Sequence, residues 1–317
     1  MPGNLLKVSE ENPVKILLTG VNGQVGHALQ ANLDAARRPD VLHDVIALSR
    51  TELDLSDADA IRRVVRESKP DLVVNPAAYT AVDKAESEPE LAYAINATAP
   101  QVLAEEAARI GAALIHFSTD YVYDGNKQGK YVESDAVNPI SVYGRSKLAG
   151  EEAIRAVGLP HLILRTSWVY GAYGKNFLKT ILRLAAERDS LRIVADQWGA
   201  PTSSESIADA VTKLIKAWNI ENAAQTGVYH FTNAGETTWH GFATAIVAEY
   251  EALQGEKNWP ALKAKQTDIQ PIGTADYPTP AVRPENSRLD NSKLKSTFDI
   301  ALPDWRAALR QVMRQLP

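Results

Sequence analysis

The chain has 317 residues, 45% hydrophobic and 23% charged, with a net charge of -5, so it can bury a sizeable core, and its length predicts one large domain with a smaller appendage. The acidic balance and the lack of long like-charged runs argue against a nucleic-acid or anionic-membrane surface, and no apolar run suits a membrane span or signal peptide. Cysteine is absent, which excludes disulfides and thiolate chemistry, and the six histidines show no metal-ligand spacing, so structural or surface roles are expected for them in a soluble cytoplasmic protein.

Residues 1–13 lack periodicity and are expected to form a loose N-terminal arm. From Val14 short apolar runs alternate with amphipathic stretches, the pattern of a doubly wound parallel α/β sheet. The runs are "VKILLT", "DVIALS", "DLVVNPA", "ALIHFST", "LILRTSW" and "LRIVA". Helices are expected over residues 24–36, 56–69, 88–110 and 141–156. A dinucleotide-binding domain is therefore placed at 14–174. Beyond it, strand-like "GVYHFT", helix-like "TWHGFATAIVAEYEAL", the Pro-rich "YPTPAVRPENSRL" and a last helix over 304–315 predict a smaller α/β substrate-binding lobe at 175–317, interleaved with the first domain.

The first strand runs straight into "TGVNGQVGHAL", a GxxGxxG turn of Gly20, Gly23 and Gly26 with Gln24 and Val25 at the helix start. Such glycines let backbone approach a pyrophosphate, and the helix offers free N–H groups and the positive end of its dipole. The alternative, a turn with coincidental glycines, loses weight because a strand precedes the motif and a helix follows it. At the end of the second strand Ser49 and Arg50 stand where an acid would grip ribose hydroxyls. An arginine there pairs with a 2'-phosphate, which favours NADPH over NADH, unless Arg50 is only a solvated surface charge. Asp54 and Leu55 are placed to border the adenine, although Asp54 suits a helix cap equally well. Ala77, Ala78 and Tyr79 follow the third strand, where small side chains admit a nicotinamide ribose. Asn96 on the next helix can tie that backbone down or be a plain polar helix residue.

Ser118, Thr119 and Asp120 end the fourth strand, where open parallel sheets place ligands, though strand-end hydroxyls also satisfy backbone groups. Two Tyr-x-x-x-Lys pairs follow. Tyr123 and Lys127 straddle Asp124, Gly125 and Asn126, a poor helix interior, whereas Tyr143 and Lys147 fall in a helical stretch where positions i and i+4 share a face.

Taken in order, GxxGxxG, "NPAAYTAVDKAE", "INAT", "STDYVYDG", "VYGRSKLAGE", "RTSWVYG", "NF", "GAPT" and "RPENSRL" resemble the dTDP-4-dehydrorhamnose reductases, extended short-chain dehydrogenase/reductases with a Rossmann-type fold, over almost the whole chain. The resemblance implies NAD(P)H-dependent reduction of a 4-keto sugar nucleotide to dTDP-L-rhamnose. Catalytic roles then fall to Thr119, Tyr143 and Lys147, with Tyr143 giving the proton, Lys147 lowering its cost and holding the nicotinamide ribose, and Thr119 donating to the same substrate oxygen. Asp120, Trp168, Asn176 and Arg288 are implied substrate contacts. A core role for Trp168 and surface roles for Asn176 and Arg288 are the alternatives. Related dehydratases carry Glu after the Thr-Asp pair, but here that position is Tyr121, as a net reductase allows. Some relatives form a magnesium-linked dimer through glutamates. Glu205 can fill one such place, but Ala28 stands where another glutamate is expected, which argues against a metal bridge and leaves a monomer or a metal-free homodimer open. Two rival functions remain: a non-catalytic dinucleotide-binding regulatory subunit, and a reductase of a different nucleotide sugar.

Overall fold

The computed structural model describes residues 14–35 and 43–317, so the expected N-terminal arm lies outside the described residues. In chain order the strands are β1 (Val14–Thr19), β2 (His43–Leu48), β3 (Leu72–Asn75), β4 (Ala113–Thr119), β5 (His161–Thr166), β6 (Val169–Tyr170), β7 (Leu191–Val194), β8 (Trp198–Gly199), β9 (Thr202–Ser203), β10 (Gly227–His230), β11 (Thr237–Thr238) and β12 (Ile269–Ile272). The helices are α1 (Gln24–Ala35), α2 (Ala58–Ser68), α3 (Val82–Ala85), α4 (Pro89–Tyr93), α5 (Ala99–Ile110), α6 (Val142–Val157), α7 (Phe177–Glu187), α8 (Ser204–Ala217), α9 (Trp239–Lys257), α10 (Ser292–Phe298) and α11 (Trp305–Gln315).

Every residue of β3, β4 and β5 is buried, as a sheet covered on both faces requires. Six strands join in the order β10-β5-β4-β3-β1-β2, all parallel. One face carries Ile16, Leu18, Val74 and Ile115 against α1 and α8; the other carries Leu17, Val73, Leu114 and Ile163 against α2 and α5. This alternation along each strand is the period of two that sets side chains on opposite faces. "LRIVA" was expected among the strands of this sheet, but β7 instead pairs with β12 in a separate parallel ribbon. The sixth place goes to β10, far along the chain.

Two helix starts differ from expectation for local reasons. Asp57, not Asp54, caps α2, accepting from the N–H groups of Asp59 and Ala60. The expected helix over 88–110 is interrupted by a π-type turn at Ala94–Thr98. Pro100 has no N–H to offer the carbonyl of Asn96, so the ladder widens and the N–H of Ala99 reaches back to Ala94. Gly150 of α6 packs on the freed carbonyl: a Cβ there would lie 2.1 Å from Asn96 O.

The second core is aromatic. Tyr170, Phe242 and Trp305 pack with Leu178, Ile246 and Leu309 between α7, α9 and α11. Asn176, which caps α7, and the adjacent Lys175 line the crevice at the carboxyl ends of the parallel strands.

Candidate active site

A cleft of about 720 Å³ runs along the carboxyl ends of β1, β3 and β4. Its floor at one end is the turn between β1 and α1. Gly20 has φ +61°, and a Cβ on it would lie 2.7 Å from Ala77 Cβ; a Cβ on Gly26 would lie 2.2 Å from Gly20 O. Neither position has room for a side chain, so the turn closes tightly on α1 and presents backbone to the cleft. Gly23, Gln24 and Val25 line the same wall, with Ala77, Ala78 and Tyr79 opposite. The opening residues of α1 thus face a ligand-sized space, and the cleft fits an extended dinucleotide.

At the end of β2, Arg50, Asp54 and Leu55 reach the cleft, but Ser49 does not line it. Its backbone N–H and its hydroxyl both donate to the Glu52 carboxylate, at 2.8 and 2.7 Å. Those bonds hold the Glu52 carboxyl below the usual range. Asp54 accepts from the N–H and hydroxyl of Ser56, which lowers its pKa also. Asn96 lies behind the cleft wall. Its side chain accepts from Tyr79 N at 2.9 Å and donates to Tyr79 O at 3.0 Å and to the Ser146 hydroxyl at 3.0 Å. One buried carboxamide therefore fastens the loop after β3 to α6.

The reacting end is built where β4 meets α6. Ser141 caps α6 by accepting from the Gly144 N–H, which starts the helix one residue before Tyr143. Four residues per near-turn then bring Tyr143, Lys147 and Glu151 to one buried face. Thr119 hydrogen-bonds the Tyr143 phenol, and burial pushes that phenol's pKa up, so it holds its proton firmly. Lys147 is 1% exposed; burial brings its pKa down to about 8, with Glu151 opposing the fall. Its ammonium donates to Phe117 O at 2.6 Å and meets His116 Nε2 at 3.2 Å. Beside them, burial raises the Asp120 pKa to about 6, against the hydrogen bond that the Thr119 hydroxyl donates to its Oδ1 at 3.0 Å. The arrangement offers a proton donor, a hydroxyl for the same oxygen, and a tunable cation.

The competing pair is structural. Tyr123 is buried and bonded to Arg165 and His230, and Lys127 is ion-paired with Asp135. Trp168 lines the cleft with φ +49°, a backbone conformation rare for a bulky residue, and its indole stacks on Trp239 at 3.6 Å between centroids. Asn176 lines the cleft too, caps α7, and donates to Gln24 Oε1 at 2.9 Å, linking the glycine turn to the second lobe. Arg288 does not line the cleft: its Nε donates to Asn286, and its guanidinium lies 5.7 Å from the Trp198 ring centroid. Glu205 sits outside the cleft as well, accepting from the Ala172 N–H at 3.3 Å. Of four residues that sequence reasoning passed over, Lys175 lines the cleft, while His116, Arg283 and Ser287 lie behind it beside Lys147, Tyr121 and Asp120. Arg283 also pairs with Asp83 at 2.9 Å. Only His116 had a signal, two residues before Ser118 on the strand face that meets the helix of Lys147.

A family model described as "RmlD substrate binding domain" matches residues 14–317. The chain belongs to this RmlD family. Among relatives, the dTDP-4-dehydrorhamnose reductase of Burkholderia thailandensis is 49% identical over 306 residues, 96% of this chain and 99% of that protein. The dTDP-4-dehydrorhamnose reductase of Escherichia coli K12 is 43% identical, covering 96% and 98%. A solved dTDP-4-dehydrorhamnose reductase from Bacillus anthracis, in complex with NADP, superposes with a TM-score of 0.83 at 33% identity, covering 96% of this chain and 100% of that one.

Proposed function

We propose that this chain reduces the C4 keto group of dTDP-4-dehydro-L-rhamnose to dTDP-L-rhamnose, using a nicotinamide dinucleotide. The observation that carries the reading is that Thr119, Tyr143 and Lys147 meet in one cleft whose other end is the glycine turn. The bound dihydronicotinamide supplies the hydride. Gly20, Gly23 and Gly26 hold its pyrophosphate side, with α1 facing the charge, and Lys147 holds the ribose next to the ring. Tyr143 delivers its proton to the oxygen forming at C4, and Thr119 donates to that oxygen and fixes its position. Loss of a phenolic proton is costly in this dry setting, and the Lys147 cation reduces the cost. Asp120, Trp168 and Asn176 orient the sugar nucleotide. NADPH is the preferred reductant: Arg50 faces the cleft, Glu52 is turned onto Ser49, and Asp54, which also lines the cleft, is occupied by Ser56.

The test is turnover. Purified protein mixed with the 4-keto sugar nucleotide and NADPH or NADH should consume the nicotinamide absorbance and yield dTDP-L-rhamnose. Binding of the dinucleotide without turnover under either condition would move the reading to a non-catalytic dinucleotide-binding protein.

A further inference from the structure

Lys147 does not stand alone behind the cleft. A line of buried polar groups runs from it across the sheet: Lys147 Nζ to His116 Nε2 at 3.2 Å, His116 Nδ1 to Asn75 Nδ2 at 3.1 Å, and Asn75 Oδ1 to the Thr19 hydroxyl at 2.6 Å. His116 and Asn75 are 0% exposed, on β4 and β3. We propose that His116 is a positioning residue for Lys147, holding its amino group and setting its proton state through the tautomer that Asn75 selects.

The distances admit two proton arrangements without moving a ring. With Asn75 Nδ2 donating to Nδ1, the imidazole proton sits on Nε2 and Lys147 meets it as a free amine. With the carboxamide rotated half a turn, its oxygen accepts from Nδ1–H, its nitrogen donates to Thr19 Oγ1, and Nε2 accepts from an ammonium. His116 and Lys147 are paired in both, but the second takes from the Thr19 hydroxyl the acceptor it has in Asn75 Oδ1. A bond from a charged donor is about twice as strong as a neutral one, so on balance His116 favours the ammonium. Burial and the neighbouring cation keep the ring itself neutral. The other groups that bear on this lysine are Glu151, on its own helix and bound to Arg165 of β5, and Tyr143 at the cleft. Phe117 O accepts a second lysine N–H, leaving the third for a ribose hydroxyl, which is the geometry that the proposed reduction needs and on which this inference rests.

The experiment reads the lysine directly as well as through catalysis. In full-length protein without substrate, the Cε resonance of Lys147, assigned by its loss in Lys147→Arg, is titrated by carbon NMR. His116→Leu should lower the titration midpoint by about one unit; His116→Gln, whose carboxamide offers a donor and an acceptor at the Nε2 place, should restore it. In turnover, His116→Leu should lose about five-fold in kcat near pH 8 and almost nothing near pH 6, with KM unchanged, as a one-unit shift demands. An unchanged midpoint in His116→Leu overturns the proposal. So does His116→Gln titrating a full unit below wild type, the deciding variant should the leucine protein not fold. The NMR arm stands even if wild-type protein fails to reduce the sugar nucleotide, an outcome that would sink the proposed function alone.

Discussion

The two ends of the cleft are made of different material. The dinucleotide end is backbone and small side chains: Gly20 and Gly26 pressed against Ala77 and each other, with the polar groups Arg50 and Asp54 at its rim. The reacting end is a set of polar side chains withdrawn from water, with His116, Ser118, Thr119, Asp120, Lys147 and Glu151 all buried. The first has no spare volume but depends little on any one side chain's charge. The second pairs buried donors, acceptors and charges, leaves Asp120 Oδ2 without a partner, and is costly wherever pairing is lost. Added volume should therefore injure the first end, and lost polarity the second.

The sharpest break of this contrast is Tyr143→Phe. Removing one hydroxyl leaves the packing of a buried ring nearly intact and should cost about 10³-fold in kcat, within the range of positioned acid catalysis, with little change in NADPH affinity. Steady-state kinetics beside a cofactor-binding titration checks both halves; comparable kcat in the variant would remove Tyr143 as the proton donor.

Next in size is the electrostatic strain at Asp120. Its pKa is raised from 3.8 to about 6, chiefly by burial. The folded state therefore binds the proton more tightly than the unfolded chain, so this residue's contribution is most favourable below pH 3.8 and is lost as pH rises toward 6. Asp120→Asn should flatten that part of the stability profile by about 2 kcal/mol between pH 4 and 7. Urea unfolding of both proteins across that window measures it, and parallel profiles would show that the carboxyl is not strained in this way.

Gly26→Ala probes the other end. The added methyl would sit 2.2 Å from Gly20 O, and only movement of the turn or of α1 can relieve the clash. A loss of about 1–3 kcal/mol is expected, seen as weaker NADPH binding with a lowered Tm, while the pH dependence of kcat keeps its shape. A shifted pH profile would mean that the two ends are coupled more closely than their construction implies.

Much of this was readable in the sequence where one local rule sufficed. The GxxGxxG turn follows a strand and opens a helix, and Tyr143 and Lys147 were separable from Tyr123 and Lys127 because a Asp-Gly-Asn turn cannot sit inside a helix. What escaped depends on distant partners. His116 becomes part of the site through a lysine 31 residues away, and period two names its strand face without naming what covers it. In "RPENSRL" there is no period at all, and Arg288 rather than Ser287 was singled out, although Ser287 is the residue that bears on the Asp120 carboxyl. "LRIVA" is a strand, as an apolar run should be, but pairing is settled by tertiary packing and took it to β12.

The smallest effect should come from Arg50→Ala, because Arg50 is exposed and its contact with a 2'-phosphate would be screened by water and salt. Affinity for NADPH should fall several-fold, about 1 kcal/mol, with NADH nearly unaffected, so the ratio of kcat/KM for the two reductants narrows by the same factor. Raising the salt should narrow the wild-type ratio in the same direction, because the interaction is electrostatic and at the rim. The serine beside it gives the internal control: Ser49 is held by Glu52, so Glu52→Gln should loosen that turn without moving the NADPH to NADH ratio as far as Arg50→Ala does. An unchanged ratio in Arg50→Ala would take this arginine out of cofactor selection and leave the backbone turn as the whole of the dinucleotide end.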